Sequence, residues 1–335
     1  MPVLAFIKSA EASIEIHWLV EESFESILEG HPMIQKIKKI NTREWRKKGT
    51  GTFIHESIKV IRDLRSEGYD LVLDLQGNSK SGLFTMFSGA PLRYGFDRTA
   101  VREWPNILAT SRKVSLTRNQ YHISDRSLAV AAAAFPNGTD RPFAGPLPVN
   151  SKARDAVEDK LKEERMSGDP LIVLHHGTTW NTKQWPVANW KALAVELVDS
   201  DKIRPVLTWG NEEELKVVQR IHEAASGNAV IWPKGDLKDL AALLKRADVV
   251  VGTDTGPIHI AAAVGTSTVS IYRVTDPERN GPRGKNHILL QSPLDCSPCL
   301  KKECDRDEEC GQSIDVQMVL EAVGKLLNKP DKKHT

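Results

Sequence analysis

Short apolar segments alternate along this chain with longer segments in which apolar residues recur every three or four positions. In the second half, ADVVVGTD and TSTVSIY are typical of buried strands, and NEEELKVVQRIHEAA and DLKDLAALLKRA are typical of helices. The first half repeats the alternation, with SIEIHWLV, YDLVLDLQG and APLRYGF as strands and FESILEG and TGTFIHESIKVIRDLRSEG as helices. Such alternation predicts parallel sheets covered by helices. The sequence therefore predicts an α/β protein.

A length of 335 residues is enough for two such domains, each with its own core. Pro, Gly and Asn cluster between Phe135 and Arg154, which predicts a junction there. We expect a Rossmann-like domain over residues 1–145 and another over residues 146–335, with a C-terminal helix before the polar tail NKPDKKHT. Ligands of open α/β sheets bind beyond the carboxyl ends of the strands. Two doubly wound domains that face each other would then form a central cleft.

The composition excludes several classes of protein. A hydrophobic content of 40% and a charged content of 27% are ordinary for a globular domain, and a net charge of +2 is too small for nucleic-acid binding across the whole surface. No apolar run reaches the roughly 18 residues of a membrane span. The opening MPVLAFIKSAEASIEIHWLVEE carries early charges and no small-residue cleavage site, so it is not a signal peptide. We therefore expect a cytoplasmic protein without a nucleic-acid partner.

The segment VVGTDTGPIH places small and polar residues directly after an apolar strand. Gly252 and Gly256 permit close backbone approach, and Pro257 suits the first position of a helix. A helix that begins here directs its free N–H groups at an anion such as a phosphate. Asp254 has the wrong charge for that purpose and is expected to cap the helix or to orient N–H groups, while Thr255 supplies a hydroxyl. An ordinary capped turn explains the same residues, so both interpretations stay open.

Two further loops follow strands in the same half of the chain. In LHHGTTWNTKQWP, Gly177, Thr178 and Thr179 form a small turn rich in hydrogen-bond donors. Lys183 lies between two Trp residues and could place an ammonium beside a diphosphate, although a Lys is ordinarily solvated. In LTWGNEEELK, Glu212 begins a run of three Glu at the start of a predicted helix. Acidic residues at this position ordinarily stabilise the helix end, and binding of ribose hydroxyls is the functional alternative.

These loops carry a resemblance to a known family. The block GTDTGPIHIAAAVGTSTVSIYRVTDPERNGPRG resembles the C-terminal signature of glycosyltransferase family 9, the bacterial lipopolysaccharide heptosyltransferases. HHGTTWNTKQWP resembles the second nucleotide-side loop of that family, and NTREWRKKG, DLQGNSKSG and DRTAVREWP are similar to segments of its heptosyltransferase I branch. The resemblance covers essentially the whole chain. It implies a GT-B fold, which consists of two Rossmann-like domains.

The resemblance also implies a reaction and a donor site. The reaction is inverting transfer of heptose from ADP-L-glycero-D-manno-heptose to the Kdo region of the lipid A core, with no metal and no cofactor. Without a metal, the charge on the leaving diphosphate must be met by a Lys, hydroxyls and helix N-termini. By motif, the residues implied at the donor are Thr178, Thr179 and Lys183 for the diphosphate, Glu212 for the ribose, and Asp254, Thr255, Gly256 and His259 near the phosphates and heptose. A packed core histidine is the alternative for His259.

The acceptor side is expected to be basic, because Kdo carboxylates and lipid A phosphates are anionic. The candidates by resemblance are Arg43, Arg46, Lys80, Arg98, Arg102 and Arg126. A solvated charged face is the alternative for most of them individually. The same residues could hold the protein at the cytoplasmic face of the anionic inner membrane, where each basic residue contributes roughly 1 kcal/mol.

The start of the sequence departs from the family pattern. Family members begin with a strand and a loop that carries a Gly-Asp pair, whose Asp is the expected general base. Here MPVLAFIKSA matches the helix after that loop, so we assign no catalytic base. We expect residues 2–10 to form a helix that packs on a sheet, and two strands to lack a neighbour between them. The alternatives are a heptosyltransferase II-type enzyme with another acceptor and a catalytically silent ADP-sugar-binding protein.

All four cysteines lie in the segment CSPCLKKECDRDEEC. Cys296 and Cys299 have the CxxC spacing of many zinc sites, but Cys304 and Cys310 do not form a second such pair. Reduced thiols are the expectation for a cytosolic protein, and a zinc site is the alternative.

Overall fold

The computed structural model describes residues 1–166 and 170–328. The chain divides into two compact units, Met1–Pro142 and Phe143–Thr335, so the division falls a few residues before the expected boundary at residue 145. The end of the polar tail, residues 329–335, lies outside the described residues.

The N-terminal unit alternates parallel strands with helices. Its elements are α1 (Pro2–Ala10), β1 (His17–Glu21), β2 (Lys36–Ile40), α2 (Thr42–Lys47), α3 (Thr50–Ser66), β3 (Leu71–Leu73), α4 (Ser79–Phe87), β4 (Leu92–Phe96), β5 (Arg112–Val114) and α5 (Ile123–Ala134). Two 3-10 turns, Glu22–Phe24 and Trp104–Ala109, lie between them. The expected helix at residues 2–10 is confirmed. Its apolar face packs with α5 and with Leu73 and Leu75 at the end of β3.

The strands of this unit form two separate sheets. β1 pairs with β2, and β3, β4 and β5 pair in that order, all in parallel. Within residues 1–142 no strand pairing joins the two sheets. β1 and β3 each pair with a single strand among the described residues. The expectation that the two lack a common neighbour between them stays a prediction.

The C-terminal unit contains a single six-stranded parallel sheet. Its elements are α6 (Ser151–Glu163), β6 (Ile172–His175), α7 (Val187–Asp199), β7 (Val206–Thr208), α8 (Glu212–Ala224), β8 (Val230–Ile231), α9 (Leu237–Arg246), β9 (Val249–Thr253), α10 (Gly256–Ala263), β10 (Ser267–Tyr272), α11 (Pro277–Asn280), β11 (His287–Gln291), α12 (Asp307–Gln312) and α13 (Val316–Leu327). The strand order is β11-β10-β9-β6-β7-β8. This is the doubly wound order, and its direction reverses between β6 and β9. A crevice for ligands is expected at that point.

A dense core fixes the strand ends of the C-terminal unit. Every residue of β6 and β9 is buried. Trp185 and Trp190 meet edge to face with ring centroids 5.0 Å apart, and Trp185 Nε1 donates a hydrogen bond of 2.7 Å to the carbonyl oxygen of Ile314. These contacts anchor the loop that carries Lys183 to the body of the unit. In the described part of the chain, every helix is too short or too polar to cross a bilayer.

One predicted helix is wrong. The segment FESILEG begins in the 3-10 turn Glu22–Phe24 and continues as turns to Gly30, whose φ is +73°. Seven residues cannot offset the cost of helix nucleation unless packing supports them, and here Phe24 is 54% exposed. The segment therefore connects β1 to β2 without a helix.

Candidate functional site

The two polar loops of the C-terminal unit meet at the point where the strand order reverses. β6 and β9 are paired so that His175 lies opposite Gly252, and each strand then runs directly into its loop. A Cβ atom on Gly252 would stand 2.9 Å from Ile258 Cγ1 and 3.2 Å from the carbonyl oxygen of His175. Only glycine permits this close packing of β9 between β6 and α10. The two loops predicted from separate motifs thus form one site.

Lys183, Asp254 and His259 form a charged cluster in this site. Lys183 Nζ lies 2.7 Å from Asp254 Oδ2, and His259 Nε2 lies 3.6 Å from Asp254 Oδ1. Burial of Asp254 opposes its ionisation, but His259 and Lys183 outweigh burial and hold the pKa of the carboxyl well below its ordinary value. Asp254 is therefore ionised at neutral pH. The His259 side chain is 44% exposed, so it is not a packed core histidine.

The amino end of α10 is open. Thr255 is the N-cap residue, and its side chain makes no capping hydrogen bond. Asp254 therefore does not occupy the cap position, and its carboxylate pairs with Lys183. The alternative, that Asp254 orients neighbouring N–H groups, stays a prediction. No atom lies within 4 Å of a Cβ placed on Gly256. The free N–H groups and the helix dipole therefore face space in which an anion can bind.

The loop after β6 presents its hydroxyls and an aromatic ring. Thr178 is half-buried and Thr179 is exposed. Lys183, in a 3-10 turn at Asn181–Lys183, places its Nζ 4.9 Å from the centroid of the Trp180 ring. An ammonium over an indole face is attracted by the ring quadrupole. Lys183 is thus held from two sides, by Asp254 and by Trp180.

The three glutamates at the start of α8 have different surroundings. Glu214 accepts a 2.7 Å hydrogen bond from the N–H of Gly210, and its carboxylate lies 2.5 Å from the position of a Cβ on Gly177. Glu213 pairs with Lys216. Glu212 is exposed in the first turn of the helix. Glu214 is therefore the glutamate that contacts the loop after β6. The assignment of Glu212 to the ribose stays a prediction.

Two buried histidines end β6, and the sequence did not single them out. His175 Nδ1 lies 3.0 Å from Thr208 Oγ1 of β7. Burial lowers the pKa of His175 to about 3 and that of His176 to about 4. Both rings are therefore neutral at physiological pH. The His175 ring joins the end of β6 to β7 as an uncharged hydrogen-bonding group.

Arg273, directly after β10, is a second residue that the sequence analysis missed. Its side chain is 3% exposed, and its Nη1 donates to the carbonyl oxygen of Gln184. Its Nη2 donates to the carbonyl oxygen of Asp307 and, at 2.8 Å, to Asp307 Oδ1. The guanidinium therefore joins the loop after β6 to α12. The local signal of this role is an Arg that directly follows a strand of β-branched, hydroxyl and aromatic residues.

The cysteine segment does not form a metal site in this structure. Cys296 is exposed, Cys299 and Cys304 are half-buried, and Cys310 is buried, all as free thiols. Among the residues described, no three His, Cys, Asp or Glu side chains are placed to hold a metal ion. The expectation of reduced thiols and the zinc alternative both stay predictions.

The basic candidates of the N-terminal unit follow the carboxyl ends of its strands. Arg43 and Arg46 lie in α2 after β2, Lys80 in α4 after β3, Arg98 and Arg102 after β4, and Arg126 in α5 after β5. Hydrogen bonds from Ser79 lower the pKa of Glu103, and the charges of Arg102 and Arg46 add to the effect. Parallel strands direct all these loops to the same edge. The structure therefore gathers the candidates on one side of the unit.

Three of these candidates already have partners inside the unit. Lys80 Nζ lies 2.6 Å from Glu21 Oε1, at the end of β1. Arg126 Nη2 donates a 2.6 Å hydrogen bond to the carbonyl oxygen of Ala100, and its Cζ lies 5.2 Å from the centre of the Phe96 ring. Arg43, Arg46, Arg98 and Arg102 are exposed residues, and the Cζ of Arg46 lies 5.3 Å from the centre of the Phe53 ring.

Asp74 is a buried carboxylate at the end of β3, and it serves the loop that follows. It accepts hydrogen bonds from the N–H of Gly77 at 3.0 Å, from Ser81 Oγ at 2.8 Å and from Asn106 Nδ2 at 2.6 Å. Through these hydrogen bonds Asp74 fixes the loop that positions Lys80.

Comparison with known proteins extends these observations. The model of glycosyltransferase family 9 (heptosyltransferase) matches residues 57–309. Lipopolysaccharide heptosyltransferase 1 of Pseudomonas aeruginosa is 32% identical over 306 residues, which are 91% of this chain and 82% of that protein. The Salmonella typhimurium protein of the same name is 30% identical over 295 residues, which are 88% of this chain and 89% of that protein.

Solved structures agree with this comparison. E. coli heptosyltransferase WaaC with ADP aligns at a TM-score of 0.77 and 25% identity, covering 97% of this chain and 94% of that chain. E. coli ADP-heptose lps heptosyltransferase II aligns at a TM-score of 0.71 and 20% identity, which bears on the fold alone. The expected α/β class and GT-B fold are confirmed. The chain therefore belongs to glycosyltransferase family 9, the heptosyltransferases, and is a glycosyltransferase.

Proposed function

We propose that this protein transfers heptose from ADP-L-glycero-D-manno-heptose to the Kdo region of the lipopolysaccharide inner core, with inversion and without a metal. The names of its relatives support the acceptor class, and the likeness to a heptosyltransferase solved with ADP supports an adenine nucleotide donor. The observation that carries the proposal is the cluster of Lys183, Asp254 and His259 beside the open amino end of α10.

The cluster suits the departure of a diphosphate. Cleavage of the anomeric C–O bond leaves negative charge on the diphosphate oxygen, and preorganised donors stabilise that charge in the transition state. In the proposed site these donors are the Lys183 ammonium, the free N–H groups at Thr255 and Gly256, and the hydroxyls of Thr178 and Thr179. Asp254 holds the Lys183 ammonium in place. His259, exposed beside them, donates to a phosphate or heptose oxygen, and Glu212 accepts from the ribose.

The proposed acceptor binds to the N-terminal unit. Kdo carboxylates and lipid A phosphates are anions, and the exposed guanidinium groups of Arg43, Arg46, Arg98 and Arg102 are suited to them. Lys80 and Arg126 border the same edge and shape it through their internal contacts. Because the acceptor carries a lipid, we also propose that this face meets the cytoplasmic side of the inner membrane, where each basic residue contributes roughly 1 kcal/mol.

Incubation with the ADP-heptose donor and synthetic Kdo-lipid A tests the proposal, with EDTA present and the products read by mass spectrometry. We expect the acceptor to gain the mass of one heptose, and NMR of the product to show the inverted anomer. Calorimetric binding of ADP without any mass shift would instead identify a silent ADP-sugar-binding protein. Transfer only to an acceptor that already carries a heptose would identify a heptosyltransferase II-type enzyme.

A further inference from the structure

The cysteine segment is attached to the loop that carries Lys183. Thr182 is buried, and its Oγ1 donates a 2.7 Å hydrogen bond to the carbonyl oxygen of Lys301. Thr182 directly precedes Lys183, so the backbone at Lys301 is fixed one residue away from the proposed diphosphate ligand. No local sequence pattern indicates this contact, because 119 positions separate the two residues.

The same segment is attached to the strand beside Asp254. The N–H groups of Cys299 and Leu300 both donate to the carbonyl oxygen of Val274, at 3.1 and 2.8 Å. Val274 lies just beyond β10. The N–H of Asp254 donates a 3.2 Å hydrogen bond to the carbonyl oxygen of Ile271, which belongs to β10. The segment is therefore held by hydrogen bonds to the loop that carries Lys183 and to the chain just beyond β10.

Two ammonium groups share the indole ring of Trp180. Lys183 Nζ lies 4.9 Å from the ring centroid, and Lys302 Nζ lies 5.1 Å from it. Their electrostatic situations differ. The charge of Lys183 is balanced by Asp254 at 2.7 Å, whereas the described residues offer Lys302 no carboxylate partner. Lys302 is thus the uncompensated cation at this ring.

We propose that Lys302 is a second ligand of the donor diphosphate, an inference that rests on the function proposed above. A diphosphate carries more than one negative charge, and the Lys183–Asp254 pair has little net charge to offer it. Lys302 supplies the positive charge that the Lys183–Asp254 pair lacks, and its Nζ lies beside the same Trp180 ring that Lys183 contacts. In this proposal the cysteine segment serves to position Lys302.

The test compares calorimetric ADP affinities of the parent with those of Lys302→Ala, Lys302→Arg, Lys301→Ala and Lys183→Ala. Lys302→Ala should weaken ADP binding about fivefold to tenfold at low salt, because an exposed charge-assisted contact is lost. The loss should shrink as salt increases, since salt screens an exposed charge. Lys302→Arg should retain most of the affinity. Lys301→Ala makes the same charge change on the neighbouring exposed side chain and should bind ADP like the parent.

Two outcomes would count against the inference, and they are distinguishable. If Lys302→Ala binds ADP as well as Lys301→Ala does while Lys183→Ala binds weakly, Lys302 is not a ligand and the proposed function stands. If the parent itself does not bind ADP, the proposed function fails and this inference fails with it.

Discussion

At the scale of single residues, the central finding is the pairing of Asp254 with Lys183. The sequence offered each residue a local role, Asp254 as a helix cap and Lys183 as a phosphate ligand. The structure joins them across 71 positions, which no local pattern could predict. Pairing keeps the Lys183 chain in one orientation, and it also removes net charge. A site for an anion built on such a pair needs a further cation, which is the electrostatic argument for Lys302.

The buried histidines predict a pH dependence of stability. Burial lowers the pKa of His175 to about 3, whereas an unfolded imidazole titrates near 6.5. Between those values the unfolded chain binds the additional proton, so the free energy of unfolding decreases as pH falls below about 6.5. His176 acts in the same sense. Each ring should contribute a slope of roughly 1.4 kcal/mol per pH unit.

Urea unfolding measured between pH 7 and pH 5 tests this prediction. His175→Asn removes one titrating ring, so its unfolding free energy should depend less steeply on pH than that of the parent. His55→Asn, on an exposed position of α3, is the matched control and should keep the parent slope. Parallel slopes for the parent and His175→Asn would show that His175 is not a buried neutral ring.

At the scale of elements, the sequence predicts the loops that follow the strands of the C-terminal unit. It does not predict which distant segments contact those loops. The loops at residues 177–183 and 254–256 follow runs of apolar residues and begin with small or polar ones, which is a local signal. The contacts of Arg273 with Gln184 and of Lys301 with Thr182 come from distant segments. β2, KIKKI, also gave no strand signal, because its lysines suit a sheet edge rather than a core.

The divided sheet of the N-terminal unit predicts uneven protection of backbone amides. β1 and β3 each have an edge without a strand partner among the described residues, whereas β6 and β9 are paired on both sides. Amides of residues 17–21 and 71–73 should therefore exchange with deuterium at least about tenfold faster than those of residues 172–175 and 249–253. β10, also paired on both sides, serves as an internal control. Equal protection of all these strands would contradict the separation of the two sheets.

At the scale of the whole molecule, the two units carry different chemistry at equivalent places. In each unit the functional candidates follow the carboxyl ends of parallel strands, so one architecture is used twice. The C-terminal unit concentrates a paired Lys, an open helix end and hydroxyls, which suit a diphosphate. The N-terminal unit presents exposed guanidinium groups, which suit an acceptor with several anionic groups. If the units have separate substrates, a substitution in one should affect the kinetics of only one substrate.

Removal of charge from α2 tests this separation. The double variant Arg43→Ala with Arg46→Ala should raise KM for a phosphorylated Kdo-lipid A acceptor by several-fold to about tenfold, because two exposed charge-assisted contacts are lost. The Kd of ADP, measured by calorimetry, should stay the same. The control pair Lys59→Ala with Arg62→Ala removes equal charge from exposed positions farther along α3, the helix that precedes β3. It should leave the KM for the acceptor and the Kd of ADP unchanged. Equal losses for donor and acceptor in the α2 variant would mean that these arginines support the fold rather than the acceptor.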